Sequence, residues 1–217
     1  MSIRISTTSK LDGVRSWSLQ ARETCPGSID ATTGELVPAC AGCYAVGGNY
    51  RFANVREPRI SNREDWTRDA WVDDMVHALA NDTHFRWFDS GDLYDIRLAR
   101  KVYSVMKRTP HVKHWLPTRM HKFAKFVTVL SAMQALPNVV VRPSSDTVDG
   151  TYTAGLHGSC IVPTIDAVPA GAMLCHAATN AGKCGPCRAC YSRDVPVIAY
   201  LAHGRSMAKV IRLQNIA

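Results

Sequence analysis

Phe85-Arg-Trp-Phe-Asp-Ser-Gly-Asp92 decides the fold. Its first five residues read as a short buried strand, and the polar turn that follows is how such a strand hands over to the next element. Upstream, Ser61-Asn-Arg-Glu64 has the pattern of a capping box, and Trp66, Ala70, Met75, Val76 and Leu79 recur at near-helical spacing. Together they predict one amphipathic helix over residues 62 to 80. Downstream, Leu98, Val102, Val105 and Met106 mark a second helix that ends before Pro110, and His114 to Pro117 resumes as a strand. Phe123, Phe126, Val127, Leu130 and Met133 mark a third helix. Pro137-Asn138 stops it, and Val139-Val-Val-Arg-Pro143 is a third apolar strand. Strand alternating with helix predicts right-handed crossovers and an α/β fold, either an incomplete (β/α) barrel or an open, mainly parallel sheet.

The flanks differ from this core of residues 61 to 146. Residues 1 to 60 are rich in breakers, among them Cys25-Pro-Gly27, Ala31-Thr-Thr-Gly34 and Val46-Gly-Gly-Asn49, and predict an irregular lobe ordered by metal rather than by a core. Beyond residue 145 no helix is expected. Short strands are, at Cys160 to Pro163, Ala172 to Cys175 and Val195 to Leu201, with a cysteine-rich insertion between the last two. The whole chain, 1 to 217, reads as a single domain without repeats. Its 46% hydrophobic and 20% charged residues exclude a mainly disordered or collagen-like chain.

The three core strands end in polar residues: Asp89-Ser90-Gly91-Asp92, Thr118-Arg119, and Ser144-Ser145-Asp146. Parallel strands bring these to one carboxyl edge, where open α/β sheets and barrels build their sites. Ser90, Asp92, Arg119 and Asp146 are therefore candidate catalytic residues, although the same residue types also serve as ordinary loop and cap residues.

Eight cysteines carry the chemistry. The amino terminus, Met1-Ser-Ile-Arg-Ile-Ser6, lacks the apolar stretch of a secretory signal, and no run of eighteen apolar residues occurs. The expectation is a soluble protein of a reducing cytoplasm without membrane association, where many cysteines mean metal or cofactor rather than disulfides. Cys184-Gly-Pro-Cys187-Arg-Ala-Cys190 takes two CxxC steps, and Cys175 completes a four-sulfur set. That spacing suits a segment wrapping a [4Fe-4S] cluster, in which each sulfur binds a different iron; structural zinc, the alternative, more often uses two separated CxxC knuckles. Cys25, Cys40 and Cys43 form a second set with three sulfurs. It fits an iron–sulfur cluster with one open iron, a site completed by Cys160, a cluster shared with the quartet, or a small zinc knuckle. His121, His176 and His203 are further ligand candidates, each more simply read as a surface or core-edge histidine.

Ser16-Trp-Ser-Leu19, Thr24-Cys-Pro-Gly27, Ala39-Cys-Ala-Gly-Cys-Tyr-Ala45, Arg86-Trp-Phe-Asp-Ser-Gly-Asp92, Trp115-Leu-Pro-Thr-Arg119 and Gly182-Lys-Cys-Gly-Pro-Cys-Arg-Ala-Cys190 resemble the gene product 88 family of tailed bacteriophages and prophages. The resemblance implies a phage origin, hence the host cytoplasm, and the cysteine pattern, but no activity. More loosely, Cys40-Ala-Gly-Cys-Tyr-Ala45 and the polar strand ends are similar to a phage family distantly like radical S-adenosylmethionine enzymes. Those enzymes usually carry Cys-x3-Cys-x2-Cys, whereas here the first gap is fourteen residues and Tyr44 follows the third cysteine. This second likeness implies S-adenosylmethionine as cofactor, with Ser90, Gly91 and Asp92 beside the open iron as its binding residues.

Two functions follow. One is an iron–sulfur enzyme, radical or redox, with one or two clusters. The other is a non-catalytic iron–sulfur or zinc protein that binds phage or host nucleic acid. Its partner is suggested by the net charge of +8 and by basic runs at Arg97 to Arg108, Lys113 to Lys125 and Arg205 to Arg212, the middle one interleaved with Trp115, Phe123 and Phe126. A solvated helix face explains the same run equally well.

Overall fold

A computed structural model describes residues 3–153 and 157–214. Five strands, β1 (Ser6–Thr7), β2 (Arg15–Trp17), β3 (His84–Trp87), β4 (Lys113–Thr118) and β5 (Val139–Pro143), form one sheet in sequence order. β1 runs antiparallel to β2, and the rest are parallel. A second, all-parallel sheet contains β6 (Gly158–Val162), β7 (Ala172–Cys175) and β8 (Val197–Leu201) in the order β6-β8-β7. A parallel bridge between Ser144 and Ser159 joins the two sheets at β5 and β6. The result is an α/β fold with an open, mostly parallel sheet.

The helices are α1 (Pro38–Ala41), α2 (Ala53–Asp65), α3 (Trp71–Ala78), α4 (Ile96–Arg108), α5 (Ala124–Ala135) and α6 (Arg205–Gln214). Alternate residues of a strand point to opposite faces. On one face Trp17, Phe85, Trp87, Leu116, Val139 and Val141 meet Met75, Leu79, Leu98, Val102, Met106, Phe126 and Met133 from the helices, and all are buried. Each such side chain contributes roughly 1.5–3 kcal/mol through burial. On the opposite face the same strands present Arg86, Trp115 and Arg142, and this face positions the site.

Four expectations need correction. The single helix over 62 to 80 is two, α2 and α3, separated by a turn at residues 66–70. Lys101 of α4 holds that turn open by donating to the carbonyls of Trp66, Thr67 and Arg68. Ser61 and Glu64 lie inside α2, where the Ser61 hydroxyl donates back to the Glu57 carbonyl, so they are not a cap. The amino-terminal sixty residues are not wholly irregular: β1 and β2 complete the main sheet and α2 begins at Ala53. A helix, α6, does exist beyond residue 145, and Met207 on it packs against Gly42 beside α1.

Candidate functional site

The two cysteine sets lie at different places. Cys25, Cys40 and Cys43 gather at the carboxyl edge of the main sheet. Burial pushes the Cys25 thiol up to about 12, and the charges of Asp92, Cys40 and Cys43 add to it. Burial also raises Cys40, against the Arg119 and Lys122 charges beside it. The loop carrying these thiols is clamped to the strand ends. Arg119 donates to Asp146 Oδ1 at 3.2 Å and to the Ser145 carbonyl. Lys122 Nζ reaches Asp146 Oδ2 and the Gly27 carbonyl, both at 2.7 Å, and the Ala39 amide donates to the Asp146 carbonyl. A Cβ on Gly27 would stand 2.5 Å from Arg119 Cβ, so only glycine lets the loop lie this close. Arg119 and Asp146 are thus brought to the trio as a clamp.

Ser90, Gly91 and Asp92 are also beside the trio, but their contacts turn inward. The Ser90 hydroxyl donates to the Leu19 carbonyl and accepts from Arg59 Nε. Gly91, at φ +78°, has Leu19 Cβ and Thr24 Oγ1 within 2.7 Å of where a Cβ would be. Asp92 accepts from Thr118 Oγ1 (2.6 Å) and the Leu93 amide at Oδ1, and from the Arg119 amide (2.8 Å) at Oδ2; burial raises its pKa in spite of these bonds. These three residues fasten β3 to β4 and to the segment after β2.

The quartet lies behind the second sheet. Cys175 ends β7, and Cys184, Cys187 and Cys190 come from the following loop. Their side chains line a cavity of about 70 Å³ whose remaining walls include Leu11, Met173 and Ile198. Asn180, Lys183 and Arg188 add polar and charged groups to the apolar part of the wall. Burial raises the thiols of Cys184 and Cys190, and the Cys175 charge adds to both. His176 lines the same cavity, whereas His121 is spent on the Thr118 carbonyl and His203 on that of Leu201. The loop is pinned from outside: the Cys184 amide donates to the Lys10 carbonyl and Lys183 Nζ to that of Ser9.

Among the described residues no three His, Cys, Asp or Glu side chains are grouped tightly enough to hold one metal ion. A lone tetrahedral zinc with Zn–S of ~2.3 Å would need its sulfurs about 3.8 Å apart. The quartet instead stands around a space. Cys160 joins neither set: it is buried with Val162, Val197 and Ala199 on the far side of β6, and Asp149 is the charged group acting on it. The cysteines that act on Cys25 and Cys40 belong to the trio and those that act on Cys184 and Cys190 belong to the quartet, so the geometry keeps the two sets separate.

Two arginines on the site face were not among the expected site residues. Arg142, 0% exposed, donates to six carbonyls, those of Gly158, Ala189, Cys190, Ser192, Val195 and Pro196. Arg86 lies over the Trp115 ring at 4.7 Å. Around it are Tyr44, Tyr50 and Tyr200 with Asp89; burial opposes its charge, and these neighbours hold its pKa above the ordinary value. Tyr200 in turn stands 3.4 Å from Cys190 Sγ. The available signal was a charged residue inside an apolar parallel strand, Phe85-Arg-Trp and Val139-Val-Val-Arg, where both faces are normally hydrophobic.

No curated protein and no solved structure matches the chain, so the looser likeness to radical S-adenosylmethionine enzymes gains no support from known proteins. The family described as Gene product 88 matches residues 4–193, a span that contains β1 to β7, the trio, the quartet and both buried arginines. The chain belongs to the Gene product 88 family.

Proposed function

We propose that the chain is a phage-encoded iron–sulfur protein. Cys175, Cys184, Cys187 and Cys190 hold a [4Fe-4S] cluster; Cys25, Cys40 and Cys43 hold a second whose remaining iron is open to a ligand. The observation that carries this reading is the cavity of about 70 Å³ among the quartet's four thiols, walled by Leu11, Met173 and Ile198 and flanked by the basic side chains of Lys183 and Arg188. Cysteine sulfurs bound to different irons stand around a volume, as these do, rather than about a point.

When bound, such clusters exchange single electrons. The residues around the thiols suit that role. Arg142 fixes the backbone on both sides of Cys190, and Tyr200 can donate its hydroxyl to the Cys190 sulfur. Hydrogen bonds to cluster sulfurs are one of the means by which a protein sets a potential. At the trio, Arg119 and Lys122 place positive charge beside Cys40, which favours its thiolate and an anionic cluster. A redox enzyme acting at the open iron is the fuller form of this reading.

The rival, a nucleic-acid-binding protein, is supported by the net charge of +8 and by exposed basic residues such as Arg100, Lys107, Lys113 and Lys125, but not by its aromatic residues. Trp115 and Phe126 are buried and offer no stacking surface, while Arg108 pairs with Asp73 and Lys122 with Asp146.

Anaerobic purification with iron, acid-labile sulfide and zinc counts, followed by electron paramagnetic resonance of the reduced protein, tests the proposal. Iron and sulfide in equal amounts with a reduced-cluster signal are expected. Cys187→Ser should remove the quartet's share and leave the trio's. Stoichiometric zinc without sulfide would overturn it.

A further inference from the structure

Arg86 is a guanidinium in the interior of the site face that makes no hydrogen bond and no ion pair among the described residues. Its Nε is buried without a partner, and the Trp115 ring at 4.7 Å covers one side of the group. Such a side chain carries five donors in a planar fork and cannot discharge itself by losing a proton. A desolvated cation with no acceptor is costly, and proteins seldom retain one without a counter-ion.

Asp89 is the nearest counter-charge of Arg86, yet neither nearby carboxylate accepts a hydrogen bond from the guanidinium. Asp89 is spent on Arg59 at 2.9 Å, on the Ser18 hydroxyl and on the Tyr50 hydroxyl at 3.2 Å. Asp92 is saturated by Thr118 and two amides. What surrounds Arg86 instead is a ring of phenols. Tyr44 and Tyr50 come from the amino-terminal lobe just after Cys43, and Tyr200 stands against Cys190. Tyr44 is 61% exposed and donates to the Asp89 carbonyl, so the ring opens to solvent on that side. Arg86 therefore lies near Cys190 of the quartet, with its fork making no hydrogen bond and the exposed Tyr44 on one side.

We propose that Arg86 is the anchor of a small-molecule site on this face, taking the carboxylate or phosphate of the ligand on its guanidinium beneath Tyr44 and Tyr200. Carboxylate and phosphate both match the fork with two parallel hydrogen bonds, which a single lysine could not make. The site goes beyond the iron–sulfur reading and stands without it.

The test uses the full-length protein, anaerobically purified, with its iron and sulfide counted on the same sample so that the two proposals fail separately. Inorganic phosphate and acetate are titrated in separate arms, at ionic strength held constant with chloride, and followed by calorimetry and by the melting midpoint. The expected result is saturable binding of at least one anion with a rise in melting midpoint, weakened tenfold or more by Arg86→Gln and less by Arg86→Lys. The arm that binds more tightly distinguishes phosphate from carboxylate ligands. No saturable binding of either anion by the wild type would overturn the proposal, as would binding that Arg86→Gln and Arg86→Lys both leave unchanged. If Arg86→Gln fails to fold, the wild-type titration and Arg86→Lys decide.

Discussion

Single polar residues inside the two faces of the main sheet have opposite assignments. On the helix-covered face His114 is fully buried: Trp87 Nε1 donates to its Nδ1 at 3.2 Å, and Nε2 lies 2.9 Å from Thr109 Oγ1. Thr109 spends its own proton on the Val105 carbonyl, so Nε2 carries the imidazole hydrogen. Burial pushes this histidine down to about 3. In the unfolded chain it returns to ~6.5, so below that pH the unfolded state binds a proton that the native state does not. The native state therefore loses stability as pH falls from about 6.5 toward 3, at ~1.4 kcal/mol per unit. Urea unfolding at pH 7 and pH 5 should show the wild type losing about 2 kcal/mol more than His114→Gln over that interval. Equal losses in the two proteins would mean that His114 is protonated in the fold. On the other face, Arg142 is polar because it gathers six backbone carbonyls, and Arg86 lies over the Trp115 ring. Both were visible in the sequence as charges interrupting apolar strands. What the sequence lacked was their destination, because six carbonyls from residues 158 to 196 identify Arg142 only once the chain is folded.

At the scale of elements, legibility followed length and periodicity. α4 and α5 carry full apolar stripes, Leu98 to Met106 and Phe126 to Met133, and β3 to β5 lie between them where the alternation put them. β1 and β2 have two and three residues, too few for any period to register, and Trp17 becomes core only by pairing with β3. α2 and α3 merged in the reading because the apolar residues on either side of the break, Trp66 and Trp71 to Leu79, stay nearly in helical phase across it. The break itself is made by a distant residue. Lys101 Nζ takes the carbonyls of Trp66, Thr67 and Arg68 at 3.0, 3.3 and 2.6 Å, replacing the amides that a continuous helix would have supplied. Hydrogen bonds to a charged group are worth about 1.5–3 kcal/mol, so Lys101→Met should lower unfolding free energy by roughly that amount. Lys107→Met, on the exposed side of α4, should stay within about 0.5 kcal/mol. Comparable denaturant midpoints for the two variants would show that the turn holds without the lysine.

The molecule as a whole has unequal halves. The main sheet is backed by one large apolar cluster that includes Trp17, Trp71, Phe85, Trp87 and Phe126. The second sheet has the smaller buried apolar cluster, with Cys160, Val162, Val197 and Ala199 at its centre. It is tied to the first by the Ser144–Ser159 bridge, by Tyr191 packing on Trp115 at 5.7 Å, and by Arg142. Among these ties Arg142 alone reaches β6, the quartet loop and the lead into β8 together. Local opening follows the distribution of buried contacts, so amide hydrogen exchange should be slowest in β3, β4 and β5 and faster in β6 to β8 and residues 183 to 196. Arg142→Met leaves most of six buried carbonyls without a donor, a loss of roughly 3–5 kcal/mol if it is confined to that region. The variant should therefore exchange and alkylate Cys190 far faster than the wild type while the main sheet keeps its protection. Such a split places the locally opening part of the fold in the second sheet and its loop, held to the main sheet by Arg142. Uniform loss of protection across both sheets would instead mean that the halves unfold together and that Arg142 supports the whole core.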